Sequence, residues 1–165
     1  MKVKKIGVIS DTHIPRAASE VPQAIFAVFS GVDMIIHAGD LVSDTVIDEL
    51  SDIAPVVSVR GNMDPQDAPR PVKRVVEIEG EGVKIGLIHG WGGPDDLHER
   101  VRYEFGDEVA CIVFGHSHLP YNDFVGGVLM FNPGSPTDKR FAPYRSVGIL
   151  TISNGSVVGE VMRLP

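Results

Sequence analysis

Five short apolar runs in this chain each stop, on their C-terminal side, at a side chain that can bind a metal. Lys4–Ser10 closes on Asp11-Thr12-His13, Met34–Ala38 on Gly39-Asp40, and Pro55–Val59 on Arg60-Gly61-Asn62. Val83–Ile88 closes on His89-Gly90, and Cys111–Phe114 on Gly115-His116-Ser117-His118. Apolar runs of this length read as buried strands. In open α/β sheets, ligands bind in the crevice outside the carboxyl ends of the strands. The punctuation therefore restricts the chain to folds in which five strand ends of one sheet converge. It also predicts that His116 and His118 project to the same side, provided the backbone stays extended past Gly115.

The convergence would gather seven nitrogen and oxygen donors: Asp11, His13, Asp40, Asn62, His89, His116 and His118. A tetrahedral zinc takes about four ligands, so one ion does not use them all. Two ions about 3.5–4 Å apart, sharing a carboxylate, fit the count better.

Helices are expected between the strands. Val21–Phe29 has apolar residues at 21, 25, 28 and 29, a helical spacing, with Pro22 in the first turn. Asp44–Leu50 reads as a second helix with Ser43 as its N-cap, and Pro94–Phe105 as a third. Arg74–Ile78 and Val83–Ile88 flank Glu79-Gly80-Glu81-Gly82, the pattern of a hairpin. Val125–Phe131, Val147–Ile152 and Val157–Met162 form a strand-rich tail with Asn154-Gly155 as a turn.

At 165 residues and 43% hydrophobic, residues 1–165 suit one globular domain. No apolar stretch reaches membrane-spanning length. Lysines 2, 4 and 5 flank a strand-like run with no small-residue cleavage site, which argues against a signal peptide. Cys111 is the only cysteine and sits inside an apolar run, so a buried thiol in a cytoplasmic protein is expected. The net charge of −7 argues against a broad nucleic-acid surface. It does not argue against phosphate chemistry, because bound cations reverse the local sign.

Asp-x-His, Gly-Asp, Gly-Asn, His and Gly-His-x-His, in this order, resemble the calcineurin-like metallophosphoesterase superfamily. The small size and the Gly-Asn-x-Asp version resemble its compact phosphodiesterase branch in bacteria and archaea. The likeness runs from Ile6 to about Arg145 and includes Asn132-Pro133-Gly134-Ser135. It implies a four-layer α/β/β/α sandwich of two mostly mixed sheets, with the tail strands supplying the second sheet. It further implies one metal on Asp11, His13, Asp40 and His118 and another on Asp40, Asn62, His89 and His116, with Asp40 bridging. The donors suit manganese above all, with nickel, cobalt, iron or zinc also fitting, rather than calcium or magnesium. Two such ions would make hydroxide available near neutral pH and hold a phosphoryl group for in-line attack. Asn62 would steady a phosphoryl oxygen.

The chain departs from this pattern in two places. Many relatives have a histidine directly after Gly-Asn, thought to protonate the leaving group; here that residue is Met63. Others have His-Gly-His where this chain has His89-Gly90-Trp91, which makes Trp91 a pocket wall or interface residue. His37 reads as a hydrogen-bonded support and His98 as solvated. Arg16, Arg60 and Arg140 read equally as phosphate contacts or loop braces. The expected function is a dinuclear phosphodiesterase acting on a small phosphate ester. The alternatives are a protein-binding scaffold like the retromer subunit of this fold, and a phosphomonoesterase or nucleotide hydrolase. The oligomeric state is left open, a homo-oligomer included.

Overall fold

The computed structural model describes residues 4–165, so the reading of Lys2 lies outside the described residues. Two five-stranded sheets face one another. The first has the order β10-β9-β1-β2-β3. It is built from β1 (Lys4–Ile9), β2 (Met34–His37), β3 (Val56–Ser58), β9 (Ser146–Ser153) and β10 (Ser156–Arg163). The second runs β4-β5-β6-β8-β7. Its strands are β4 (Lys73–Ile78), β5 (Val83–Ile88), β6 (Cys111–Val113), β7 (Tyr121–Val125) and β8 (Val128–Asn132). β1, β2 and β3 are parallel, as are β5, β6 and β8, and each parallel trio is flanked by antiparallel strands. The sheets are mixed, as expected.

Alternation along the strands explains the layering. Ile6, Val8, Ile36, Ile85, Leu87 and Val113 point between the sheets and form one core. Ile9 and Ile35 point the other way, onto α1 (Gln23–Val28) and α2 (Thr45–Ser51). Ile88 and Ile112 pack against α3 (Leu97–Arg102). Four layers result. Gly7 and Gly86 make room for the outer ones, since a Cβ at either would lie 2.9 Å from Cδ1 of Phe29 or of Phe105. No helix among the described residues is long and apolar enough to cross a membrane.

Several expectations need correction. The converging strand ends come from both sheets, not one: β1, β2 and β3 from the first, β5 and β6 from the second. The last two strands, β9 and β10, complete the first sheet rather than the second, because β9 pairs antiparallel with β1. Val125–Phe131 is not one strand. The chain reverses at Gly126-Gly127, both at positive φ, and this joins β7 to β8. Finally, the third helix is shorter than Pro94–Phe105, because Asp96 adopts a left-handed φ of 60° that no helix interior accommodates. Nor is Ser43 the N-cap of α2: Asp44 holds that position with no side-chain cap, and the Ser43 hydroxyl only accepts the Thr45 N–H at 3.3 Å.

Candidate metal centre

All seven expected donors meet at the C-terminal ends of the parallel strands. Asp11 Oδ1 lies 3.6 Å from His13 Nε2, 3.3 Å from His118 Nε2 and 3.7 Å from His89 Nε2. Asp40 Oδ2 lies 3.1 Å from His89 Nε2 and 3.6 Å from His13 Nε2. Asn62 Oδ1 lies 3.0 Å from His89 Nε2 and 3.2 Å from His116 Nδ1. The donors of Asp11, His13 and His118 all fall within 4.8 Å of one another, as do those of Asp11, Asp40 and His89.

The backbone that presents them is not extended. Asp11, His13, Asp40, His116 and His118 all have positive φ, between 45° and 72°. The two-apart alternation expected for His116 and His118 therefore does not hold, and each loop instead curls its side chain back toward the seam. Left-handed non-glycine residues cost of order 1–3 kcal/mol each and persist where the surroundings fix them. Here the surroundings are explicit. Asp11 N–H donates to Gly39 O at 3.0 Å and His13 N–H to Asp40 O at 3.0 Å, which ties the β1 loop to the β2 loop. Asp64, buried behind the cluster, accepts the N–H groups of Asp40, Val42 and Gly61 at 2.8–2.9 Å. Ser135 Oγ donates to Asp11 O and Thr137 Oγ1 to Thr12 O, both at 2.9 Å.

A cation suits the chemistry of this cluster. Buried polar atoms normally have partners. Asp11 Oδ1 and His13 Nε2 face one another across the cluster, are buried and have no hydrogen-bond partner. The protonation balance points the same way. Burial opposes ionisation of Asp11, but His89, His118 and His13 outweigh it and hold the carboxyl far below its usual range. Burial would lower His89, yet the Asp11 and Asp40 carboxylates raise it to about 9. His118 is raised against its burial as well, chiefly by Asp11. Two buried carboxylates thus draw protons onto their histidines, and those protons leave when a cation takes their place. His89 Nδ1 lies 2.8 Å from Ala38 O, so an N–H donated there leaves Nε2 free to coordinate.

Other residues singled out in the sequence have supporting places. His37 is fully buried, and burial brings its pKa down to about 3, so it stays neutral. Gly39 N–H donates to its Nδ1 at 3.1 Å, which puts the proton on Nε2, facing Thr12 Oγ1 at 3.1 Å. Asn132 Nδ2 donates to Gly115 O at 3.0 Å and Ser117 Oγ at 3.2 Å, bracing the His116–His118 turn. His98 stacks on Tyr121 at 4.5 Å instead of standing free in solvent. Arg60 reaches back to Gln66 O, and Arg140 grips Asp138. Arg16 borders the donor cluster in the same groove as His13.

Two supports escaped the sequence reading. Asp64 was visible as the last residue of Gly-Asn-x-Asp, but nothing local marked it as an acceptor for two other loops. Asp138, whose Oδ2 lies 3.4 Å from His118 Nδ1, carries no motif at all.

The chain is thus a sandwich of two mixed sheets that gathers a nitrogen and oxygen donor cluster at its strand ends. Residues 5–155 match the family model of the calcineurin-like phosphoesterase superfamily domain, and the chain belongs to that metal-dependent superfamily. It is 42% identical over 162 residues to a probable metallophosphoesterase of Methanothermobacter thermautotrophicus, covering 96% of this chain and 91% of that one. It is 26% identical over 149 residues to a phosphodiesterase of Methanocaldococcus jannaschii, covering 79% and 82%. Among solved structures it resembles Vps29 of Entamoeba histolytica complexed with zinc, at 26% identity and a TM-score of 0.71, covering 96% and 98%.

The donor count gives a direct expectation. Protein stripped with chelator and reconstituted with manganese should approach two ions per chain by elemental analysis. Saturation at one ion would remove the bridged arrangement.

Proposed function

We propose that this chain is a phosphodiesterase using two divalent transition-metal ions, with manganese the best match to its donors. The observation that carries the reading is the pair of buried, unpartnered donor atoms on Asp11 and His13, surrounded by Asp40, Asn62, His89, His116 and His118. The likeness to a phosphodiesterase of M. jannaschii supports the substrate class.

In this reading Asp11, His13, Asp40 and His118 hold one ion, and Asp40, Asn62, His89 and His116 the other. Bound there, the ions supply positive charge to the phosphoryl oxygens and acidify water near neutral pH. The remaining work falls to the chain. Asp11 and Asp40 contribute the set's two negative charges, leaving the loaded pocket net positive inside an acidic protein. Asn62 is exposed at the mouth, so its amide N–H₂ can donate to a phosphoryl oxygen while Oδ1 faces His89 and His116. Asp138 steadies His118, and the Ala38 carbonyl steadies His89.

The test is hydrolysis of bis(p-nitrophenyl) phosphate by protein loaded in turn with manganese, cobalt, nickel, iron and zinc. Tight metal uptake without turnover in any of them would favour the second reading, a scaffold working through protein contacts. That reading draws on the likeness to Vps29 and on Met63, a side chain 41% exposed at the cluster's mouth that cannot carry a proton.

Met63 also makes a kinetic expectation. A positioned general acid contributes about 10²–10⁴-fold. Met63→His should raise kcat/KM for alkyl phosphomonoesters, whose leaving groups need a proton, more than for nitrophenyl diesters. Equal changes on both would mean that position 63 acts through the shape of the groove.

A further inference from the structure

Two grooves border the donor cluster, and Asn62 lines both. They differ in chemistry. The first, of about 760 Å³, carries Trp91, Val72 and Ile88 next to His89. Trp91 is 43% exposed, and Arg100 braces the backbone that carries it. Arg100 donates to the Trp91 carbonyl at 2.7 and 3.0 Å and to Gly93 O at 2.6 Å, and its guanidinium lies 6.0 Å from the indole centroid. A half-exposed indole on a braced backbone beside the donor cluster offers a stacking surface, and aromatic rings of any base stack on such a surface.

The second groove, of about 820 Å³, is bordered by Arg16, Lys139, Arg140 and Arg145. Arg140 is neutralised by Asp138. Among the described residues, Arg16, Lys139 and Arg145 form no ion pair. Three uncompensated cations at one mouth stand out in a chain whose net charge is −7. Each groove has the volume of a small-molecule site rather than of a track for a polymer.

Resting on the phosphodiesterase reading, we infer that the substrate is a small diester with two dissimilar arms. One arm ends in a planar heteroaromatic ring that stacks on Trp91. The other carries a second anionic group held by Arg16, Lys139 and Arg145. A nucleotide dimer bearing a terminal phosphate has this chemistry.

Trp91 is the only tryptophan, so intrinsic fluorescence reports the first groove without depending on turnover. The probes are the thymidine dinucleotide TpT and its 5′-phosphorylated form pTpT, mixed rapidly with manganese-loaded protein so that the initial quench precedes hydrolysis. Both should quench, and pTpT should half-saturate at a roughly fivefold lower concentration, the scale of one exposed ion pair. The double variant Arg16→Ala/Lys139→Ala should erase that difference. Trp91→Leu should raise KM for both dinucleotides roughly tenfold, with Trp91→Phe recovering most of it. Absence of quenching, or equal half-saturation by TpT and pTpT, overturns the inference if the same preparation still hydrolyses bis(p-nitrophenyl) phosphate. Loss of that hydrolysis too would overturn the phosphodiesterase reading itself.

Discussion

Asp40→Asn should abolish turnover and leave a folded protein. The Asp40 carboxylate approaches histidines of both proposed ion sites, His13 at 3.6 Å and His89 at 3.1 Å, and lies closer to His89 than Asp11 does at 3.7 Å. Losing its charge removes half of the negative charge of the ligand set and should weaken both ions together. Several kcal/mol of transition-state stabilisation depend on them, so a fall of about a thousandfold or more in kcat/KM is expected. The fold should survive because Asp40 Oδ1 accepts the Met63 N–H at 2.8 Å, and an asparagine carbonyl oxygen can do the same. Circular dichroism and elemental analysis would separate the two effects. Near-normal manganese-dependent activity in Asp40→Asn would sink the bridging assignment.

Gly61→Ala should be nearly as damaging, by a different route. An added Cβ would lie 2.5 Å from the Asp40 amide nitrogen and 2.8 Å from its Cγ. Backbone cannot step aside as a flexible side chain does, so the β2 and β3 loops must separate. Overpacking of this kind costs typically 1–3 kcal/mol. Displacing catalytic groups by about 1 Å costs on the order of a hundredfold in rate. Gly93→Ala is the matched control, since a Cβ there meets nothing within 4 Å. Thermal melting and kcat/KM should move together for Gly61→Ala and stay put for Gly93→Ala. Unchanged kinetics in Gly61→Ala would show that the two loops tolerate separation.

Much of this was legible in the residues because strands that end at ligands advertise themselves. An apolar run followed by Asp, His or Gly-Asp is a local signal, and five of them in order located the donor cluster. What stayed hidden was non-local. Nothing in Val147–Ile152 says that it will pair with Lys4–Ile9 across most of the chain, yet the last two tail strands lie in the first sheet, while Val125–Phe131 falls in the second as expected. Gly126-Gly127 is a turn signal, but it lies between Val125 and Val128, and the apolar run on both sides concealed it. The curled backbone at His116 and His118 is set by Asn132 and by the Asp11 carboxylate, which accepts the His116 N–H at 3.0 Å, and no spacing rule carries that information. Asp138 was missed for the same reason: its meaning is its distance to His118.

The antiparallel pairing of β9 with β1 has a consequence for the order in which a growing chain becomes competent. All seven donors have been synthesised once His118 is made, yet β1 still lacks its second neighbour, which arrives only with Ser146–Ser153. The hydroxyls of Ser135 and Thr137, which hold the carbonyls of Asp11 and Thr12, also come later than every donor. A nascent chain therefore carries the complete ligand inventory before it owns the framework that aims it. In the two-ion reading, capture would wait for the final strands, and a product cut short after His118 would hold the seven donor residues in no fixed arrangement.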